Sequence, residues 1–153
     1  MNFKNKIAFI IAILLFLSIF AQEAKPTVSV FYKEKEPSQK VLAKVKSLLT
    51  DFQKNYQIEY FNIDKKENSG LIAEIGLPSE HFPFAVVIDK KFTAVIDGKI
   101  VSFVHFPIFM KGIGRHEGNW SLHHLKTVLA QPKLLYPQNF LPVLKEEATD
   151  CED

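Results

Sequence analysis

The stretch that decides the fold is His81-Phe82-Pro83-Phe84-Ala85-Val86-Val87-Ile88-Asp89. Proline has no amide hydrogen to donate, so Pro83 fits the first position of a strand but not its interior. Residues 84–88 are entirely apolar and rich in β-branched side chains, without the polar alternation of a strand that has one face in water. This pattern predicts a central strand covered on both faces.

The segments before this strand alternate between strand and helix patterns. They predict, in chain order, a strand over 27–32, a helix over 39–56, a strand over 57–64 and a short helix over 69–75. Ser38 is the expected N-cap of the long helix, and Gly76 is the expected left-handed end of the short one. The order β-α-β-α-β predicts parallel pairing through helical crossovers.

After the central strand the pattern changes to a hairpin. Residues 92–96 and 99–104 predict two strands, and Asp97-Gly98 predicts a tight turn between them. Residues 105–118 contain three glycines and show no period, so we expect an inserted loop with substantial apolar content.

The chain is predicted to finish with a helix and an extended tail. Asn119 or Ser121 is the expected cap of a helix that runs through Gln131. Residues 132–153 then form the predicted tail. The side chains expected to pack it along the domain are Leu135, Tyr136, Phe140 and Leu141.

The N-terminus has the pattern of a secretory signal peptide over residues 1–21. Lys4 and Lys6 precede an apolar run over 7–20, and Ala21 supplies a small residue at the cleavage point. Removal of this leader predicts an exported protein, periplasmic or extracellular, with one domain over 22–131 and no membrane attachment; the alternative is an uncleaved anchor, because Ile19 stands where a small residue is usual. Because the leader carries two of the 19 basic residues, the rest balances the 17 acidic ones, which gives no support for nucleic-acid binding.

Three segments together resemble the thioredoxin superfamily. Residues 28–32 look like its first core strand, and residues 60–64 look like its second strand, which ends in an acid. Residues 71–76 followed by 82–87 look like the short helix, the cis-proline and the next strand. The resemblance implies a three-layer α/β fold with a central mixed sheet and a cis bond at Phe82-Pro83. It also implies that an extended peptide binds at this edge, with His81, Phe82 and Pro83 as the platform.

The chain departs from that family where its chemistry would lie. Residues 35–40, at the start of the long helix, contain no cysteine, so the Cys-x-x-Cys pair is missing. The single cysteine, Cys151, lies in an acidic segment that disfavours its thiolate, and we expect a passive thiol there, with an intermolecular disulfide as the alternative. Composition therefore excludes dithiol exchange.

Five histidines are the remaining candidates for chemistry. His105, His116 and one of His123 and His124, with His124 the preferred third ligand, predict a Zn or Cu site, because imidazole suits both metals. The alternative is that these histidines are ordinary surface or hydrogen-bonded side chains. No local ligand motif distinguishes the two interpretations.

The apolar loop supplies two further candidates for binding. Arg115 and Trp120 belong to residue types favoured at the centre of interfaces, and they predict anchors for a partner. The alternative for Trp120 is that it packs the start of the last helix. The preferred hypothesis is an exported, redox-inactive thioredoxin-like module that binds an envelope protein or an extended peptide. The alternatives are a histidine-based metal-binding protein and a thioredoxin-like enzyme with non-dithiol chemistry.

Overall fold

The structure is a computed structural model that describes residues 24–78, 82–110 and 116–142. The predicted leader, His81, Arg115 and Cys151 lie outside these ranges. The chain is a mixed α/β protein. In chain order its elements are β1 (Thr27–Tyr32), α1 (Ser38–Leu49), β2 (Gln57–Asn62), α2 (Ser69–Ile75), β3 (Phe84–Ile88), β4 (Thr93–Ile96), β5 (Lys99–Ser102) and α3 (Leu122–Ala130).

Three strands form a mixed sheet in the order β2-β1-β3. β1 is parallel to β2 but antiparallel to β3, so the prediction of parallel pairing is wrong for β3. The apolar pattern of a strand is the same in either direction, so the pattern did not fix this pairing. β2 ends at Asn62, opposite Tyr32, and the segment that contains α2 returns the chain to this same end of the sheet. β3 begins there, with Phe84 opposite Tyr32, and runs back.

β3 is buried along its whole length, as its apolar sequence predicts. Phe84, Val86 and Ile88 contribute to the larger of two hydrophobic clusters. Ala85 and Val87 contribute to the smaller one. Since neighbouring strand residues point to opposite faces, the two clusters lie on opposite sides of the sheet. The larger cluster includes the apolar faces of α1 and α3, and the smaller one includes that of α2.

The predicted hairpin is present as β4 and β5. Asp97 and Gly98 both have positive φ, at 50° and 73°, which is the geometry of the predicted tight turn. The chain after β5 then joins β3, because Val86 N donates to Phe103 O at 2.9 Å. An antiparallel bridge between Ala85 and Val104 extends this contact.

The ends of the helices agree only in part with the predictions. Gly76 has φ of 79° and ends α2 in the left-handed conformation, as predicted. Ser121 caps α3, and its hydroxyl accepts from His124 N at 3.1 Å. In contrast, α1 ends at Leu49 and continues only as a 3₁₀ turn, and Ser38 is its first residue rather than its N-cap. Within the described ranges, no helix has the length and apolar character needed to cross a membrane.

The described part of the tail runs along β4. Tyr136 N donates to Thr93 O at 2.9 Å, and Phe140 N donates to Thr93 Oγ1 at 2.8 Å. Leu135 packs against the larger cluster, whereas Phe140 and Leu141 are 44% and 49% exposed. The expected apolar packing of these last two is therefore wrong, and hydrogen bonds to β4 hold this part of the tail.

Candidate binding pocket

A pocket of about 250 Å³ opens between the start of α1 and the residue that precedes β3. We call it the Ser38 pocket. Its lining consists of Lys33, Lys35, Glu36, Pro37, Ser38, Pro83, Phe106 and His116. It lies at the edge of the sheet where β1 ends and β3 begins, so its walls come from three separate segments of the chain.

Ser38 joins two of those walls. Its side chain is buried, donates to Pro83 O at 3.1 Å and accepts from Lys33 N at 3.0 Å. A buried hydroxyl with both a donor and an acceptor partner is held in one orientation. These two bonds therefore fix Pro83 against the start of α1.

The prolines at this pocket differ from the prediction. The cis peptide bond found in the described ranges is Glu36–Pro37, so the expectation of a cis bond at Phe82–Pro83 is wrong. Pro83 nevertheless lines the pocket, and Pro37 faces the same space.

The third wall comes from the segment that follows β5. Phe106 N donates to His116 O at 2.9 Å, and Gly118 N donates to Phe106 O at 2.7 Å. At Gly118 the chain passes so close to its neighbours that an added Cβ would lie 2.6 Å from Val104 O and 2.8 Å from Phe106 O. This backbone packing places Phe106 and His116 side by side at the pocket.

The electrostatics of the pocket favour a ligand that carries negative charge. Lys33 and Lys35 contribute two positive charges and Glu36 one negative charge. The N-terminus of α1 adds the positive end of a helix dipole, and its first turn contains no acidic residue. Pro37, Pro83 and Phe106 supply apolar surface beside these charges. The pocket therefore combines an apolar floor with a cationic rim.

His105 and His116 lie together beside this pocket, with ring centroids 6.1 Å apart. His105 is only 4% exposed and has φ of 67°, in the left-handed region that few non-glycine residues adopt. Its carbonyl accepts a hydrogen bond from Trp120 Nε1 at 3.1 Å, while its Nδ1 is buried with no hydrogen-bond partner. Burial, and secondarily the charge of His116, lowers the pKa of His105 to about 4, so its ring is neutral at pH 7.

The third predicted metal ligand lies elsewhere. His124 is on α3, and the groups that influence its pKa are His123 and Asp97, although burial is the main cause of its lowering. Within the described ranges, no group of three or more His, Cys, Asp or Glu side chains is arranged to hold a metal ion. The structure thus brings together two of the three residues and separates the third.

The predicted binding platform needs two corrections. Trp120 is fully buried and packs against Phe84 and Phe103, at centroid distances of 6.3 and 5.7 Å, so it is not a surface anchor. Phe82 is buried in the smaller cluster, which leaves Pro83 as the platform residue that lines a pocket. His81 and Arg115 lie outside the described residues.

Sequence reasoning missed Lys33, Lys35 and Phe106. The polar break over residues 33–37 contained a usable signal, because lysines directly before a helix N-terminus add charge to its positive end. No comparable local signal marks Phe106, whose position depends on long-range backbone contacts. Comparisons with protein-family models, curated proteins and solved structures found no match to this chain.

Proposed function

We propose that this chain is an exported, redox-inactive thioredoxin-like protein that binds an extended peptide of an envelope protein at the Ser38 pocket. The observation that carries the proposal is the pocket itself, where the start of α1 meets Pro83. The order β2-β1-β3, with one parallel and one antiparallel pair, supports the thioredoxin-like part of the proposal. The apolar leader over residues 7–20 supports export.

The absence of dithiol chemistry follows from the composition. The chain contains one cysteine, and the start of α1 carries Ser38 where dithiol chemistry needs a thiol. The Ser38 hydroxyl donates a hydrogen bond to Pro83 O, so the side chain joins the start of α1 to Pro83. The proposed role of the pocket is binding.

The lining indicates the kind of peptide that fits. An apolar side chain of the peptide packs against Pro37, Pro83 and Phe106, while an adjacent carboxylate lies near Lys33 and Lys35. A charged group at the rim mainly affects the association rate and its salt dependence. We therefore expect acidic–apolar peptides to bind, and their binding to weaken as salt rises.

The test is a screen of the purified protein against an immobilised library of extended peptides, followed by affinity measurements on the best binders. Lys35→Glu reverses a charge at the pocket rim. We expect it to weaken the binding of acidic peptides by about tenfold, equivalent to roughly 1.4 kcal/mol. Lys54→Glu makes the same change near the other end of α1, and we expect it to leave the affinity unchanged.

Two results would contradict this proposal. If the Lys35→Glu and Lys54→Glu proteins bind acidic peptides with equal affinity, the Ser38 pocket is not the binding site. Reduction of insulin disulfides by the wild-type protein, lost in the Cys151→Ser protein, would contradict the redox-inactive assignment, because Cys151 is the single thiol of this sequence.

A further inference from the structure

The pair formed by His105 and His116 has features that peptide binding does not explain. The Nδ1 atoms of both rings are buried, and Nδ1 of His105 has no hydrogen-bond partner. On folding, a buried polar atom gives up its hydrogen bonds to water, and leaving it without a new partner costs roughly 1–3 kcal/mol. Each such atom in a folded protein therefore needs an explanation. Here the ring that carries it lies 6.1 Å from a second imidazole.

We propose that His105 and His116 bind one Cu(I) ion between their rings. Two metal–nitrogen bonds of the length found for imidazole account for about 4 Å of the 6.1 Å between the centroids. The remainder matches the two short distances from a ring centroid to a ring nitrogen. The spacing thus suits a nearly linear arrangement of nitrogen, metal and nitrogen in which one nitrogen of each ring faces the ion.

A pair of imidazoles suits Cu(I) better than Zn(II). Structural zinc sites have four protein ligands and catalytic sites three, whereas the described residues place only two imidazoles here and no group of three ligating side chains. Cu(I) has a filled d shell and is stable with two nitrogen ligands in a nearly linear geometry. Among the metals that imidazole suits, it is the one satisfied by this pair.

The protein holds His105 in a form that is ready to bind a metal. Trp120 Nε1 and the left-handed backbone fix the residue, and its buried Nδ1, which has no hydrogen-bond partner, offers a nitrogen to the ion. His116 is partly exposed, so the pair is accessible from solvent at the His116 end. The metal site needs no peptide, and it stands or fails independently of the proposed function.

The test is a Cu(I) competition titration on the purified full-length chain that carries Cys151→Ser, since a thiolate would bind Cu(I) by itself. The protein competes under reducing conditions with a chromophoric Cu(I) chelator. We expect one bound ion per chain. We expect His105→Asn and His116→Asn each to weaken binding by more than the 10- to 100-fold typical of losing an outer-shell partner. The matched control is His123→Asn, an exposed histidine on α3, which should leave the affinity unchanged.

Circular dichroism shows whether each variant is folded. If His105→Asn does not fold, His116→Asn alone decides the question, because His116 is less buried. X-ray absorption of the copper-loaded protein should give a two-coordinate Cu(I) site with nitrogen ligands. Three results would overturn the proposal: no competition at one equivalent, full affinity in a folded His116→Asn protein, or a four-coordinate ion. Tighter binding of Zn(II) through the same two histidines would overturn the assignment of Cu(I).

Discussion

Protonation of His105 should destabilise the fold in mild acid. Its pKa falls from the ordinary value of 6.5 to about 4, first because the ring is buried and second because His116 is close. Between these two values the unfolded chain binds a proton that the folded chain does not, so the free energy of unfolding decreases as the pH falls. The stability that depends on a neutral His105 ring is fully present above pH 6.5, and it is lost progressively as the pH falls to 4.

The magnitude follows from the size of the shift. At about 1.4 kcal/mol per pH unit, lowering the pH from 7 to 4.5 removes roughly 2 kcal/mol of stability through His105. The assay is urea unfolding at both pH values, followed by the fluorescence of Trp120, the single tryptophan, which is fully buried in the folded protein.

His105→Asn provides the comparison, because asparagine tolerates a positive φ and does not titrate. The variant should lose roughly 2 kcal/mol less than the wild type between pH 7 and 4.5. His124, whose pKa is also lowered, titrates in both proteins and therefore cancels in the difference. Parallel losses in the two proteins would refute the account of His105.

Three further predictions address packing at glycines, the tail and the core. Gly118→Ala should lower the free energy of unfolding by about 1–3 kcal/mol through steric overlap. Gly70→Ala, in α2 with open space around the new methyl group, should raise it by about 0.5–1 kcal/mol; shifts of the same sign in urea unfolding would contradict this pair. Thr93→Val removes both hydrogen bonds to Phe140, so it should speed amide hydrogen exchange at Phe140, and an unchanged rate would show that other contacts hold the tail. Trp120→Ala should cost about 3–5 kcal/mol in urea unfolding followed by circular dichroism, and a loss below about 1 kcal/mol would contradict its role in the core.

The sequence by itself determined the elements whose causes are local. The apolar run over 84–88 predicted a strand buried on both faces, and β3 is such a strand. Asp97-Gly98 predicted the hairpin turn, and Gly76 predicted the end of α2, because both positions need positive φ. For the cap of α3 the sequence left Asn119 and Ser121 open, and the structure selects Ser121, whose hydroxyl accepts from an amide only three residues away.

Only the tertiary structure decided the direction of β3 and the location of the sites. A strand pattern is the same in either direction. The antiparallel pairing of β3 with β1 therefore depended on the end of the sheet to which the segment containing α2 returned the chain. Trp120 has a side chain suited to an interface or a core, and its contacts with Phe84 and Phe103 placed it in the core. Likewise, sequence spacing alone does not distinguish His116 from His124 as the neighbour of His105. The backbone contacts of residues 104–118 brought His116 to His105 and to the Ser38 pocket, because positions far apart in sequence meet only through long-range packing.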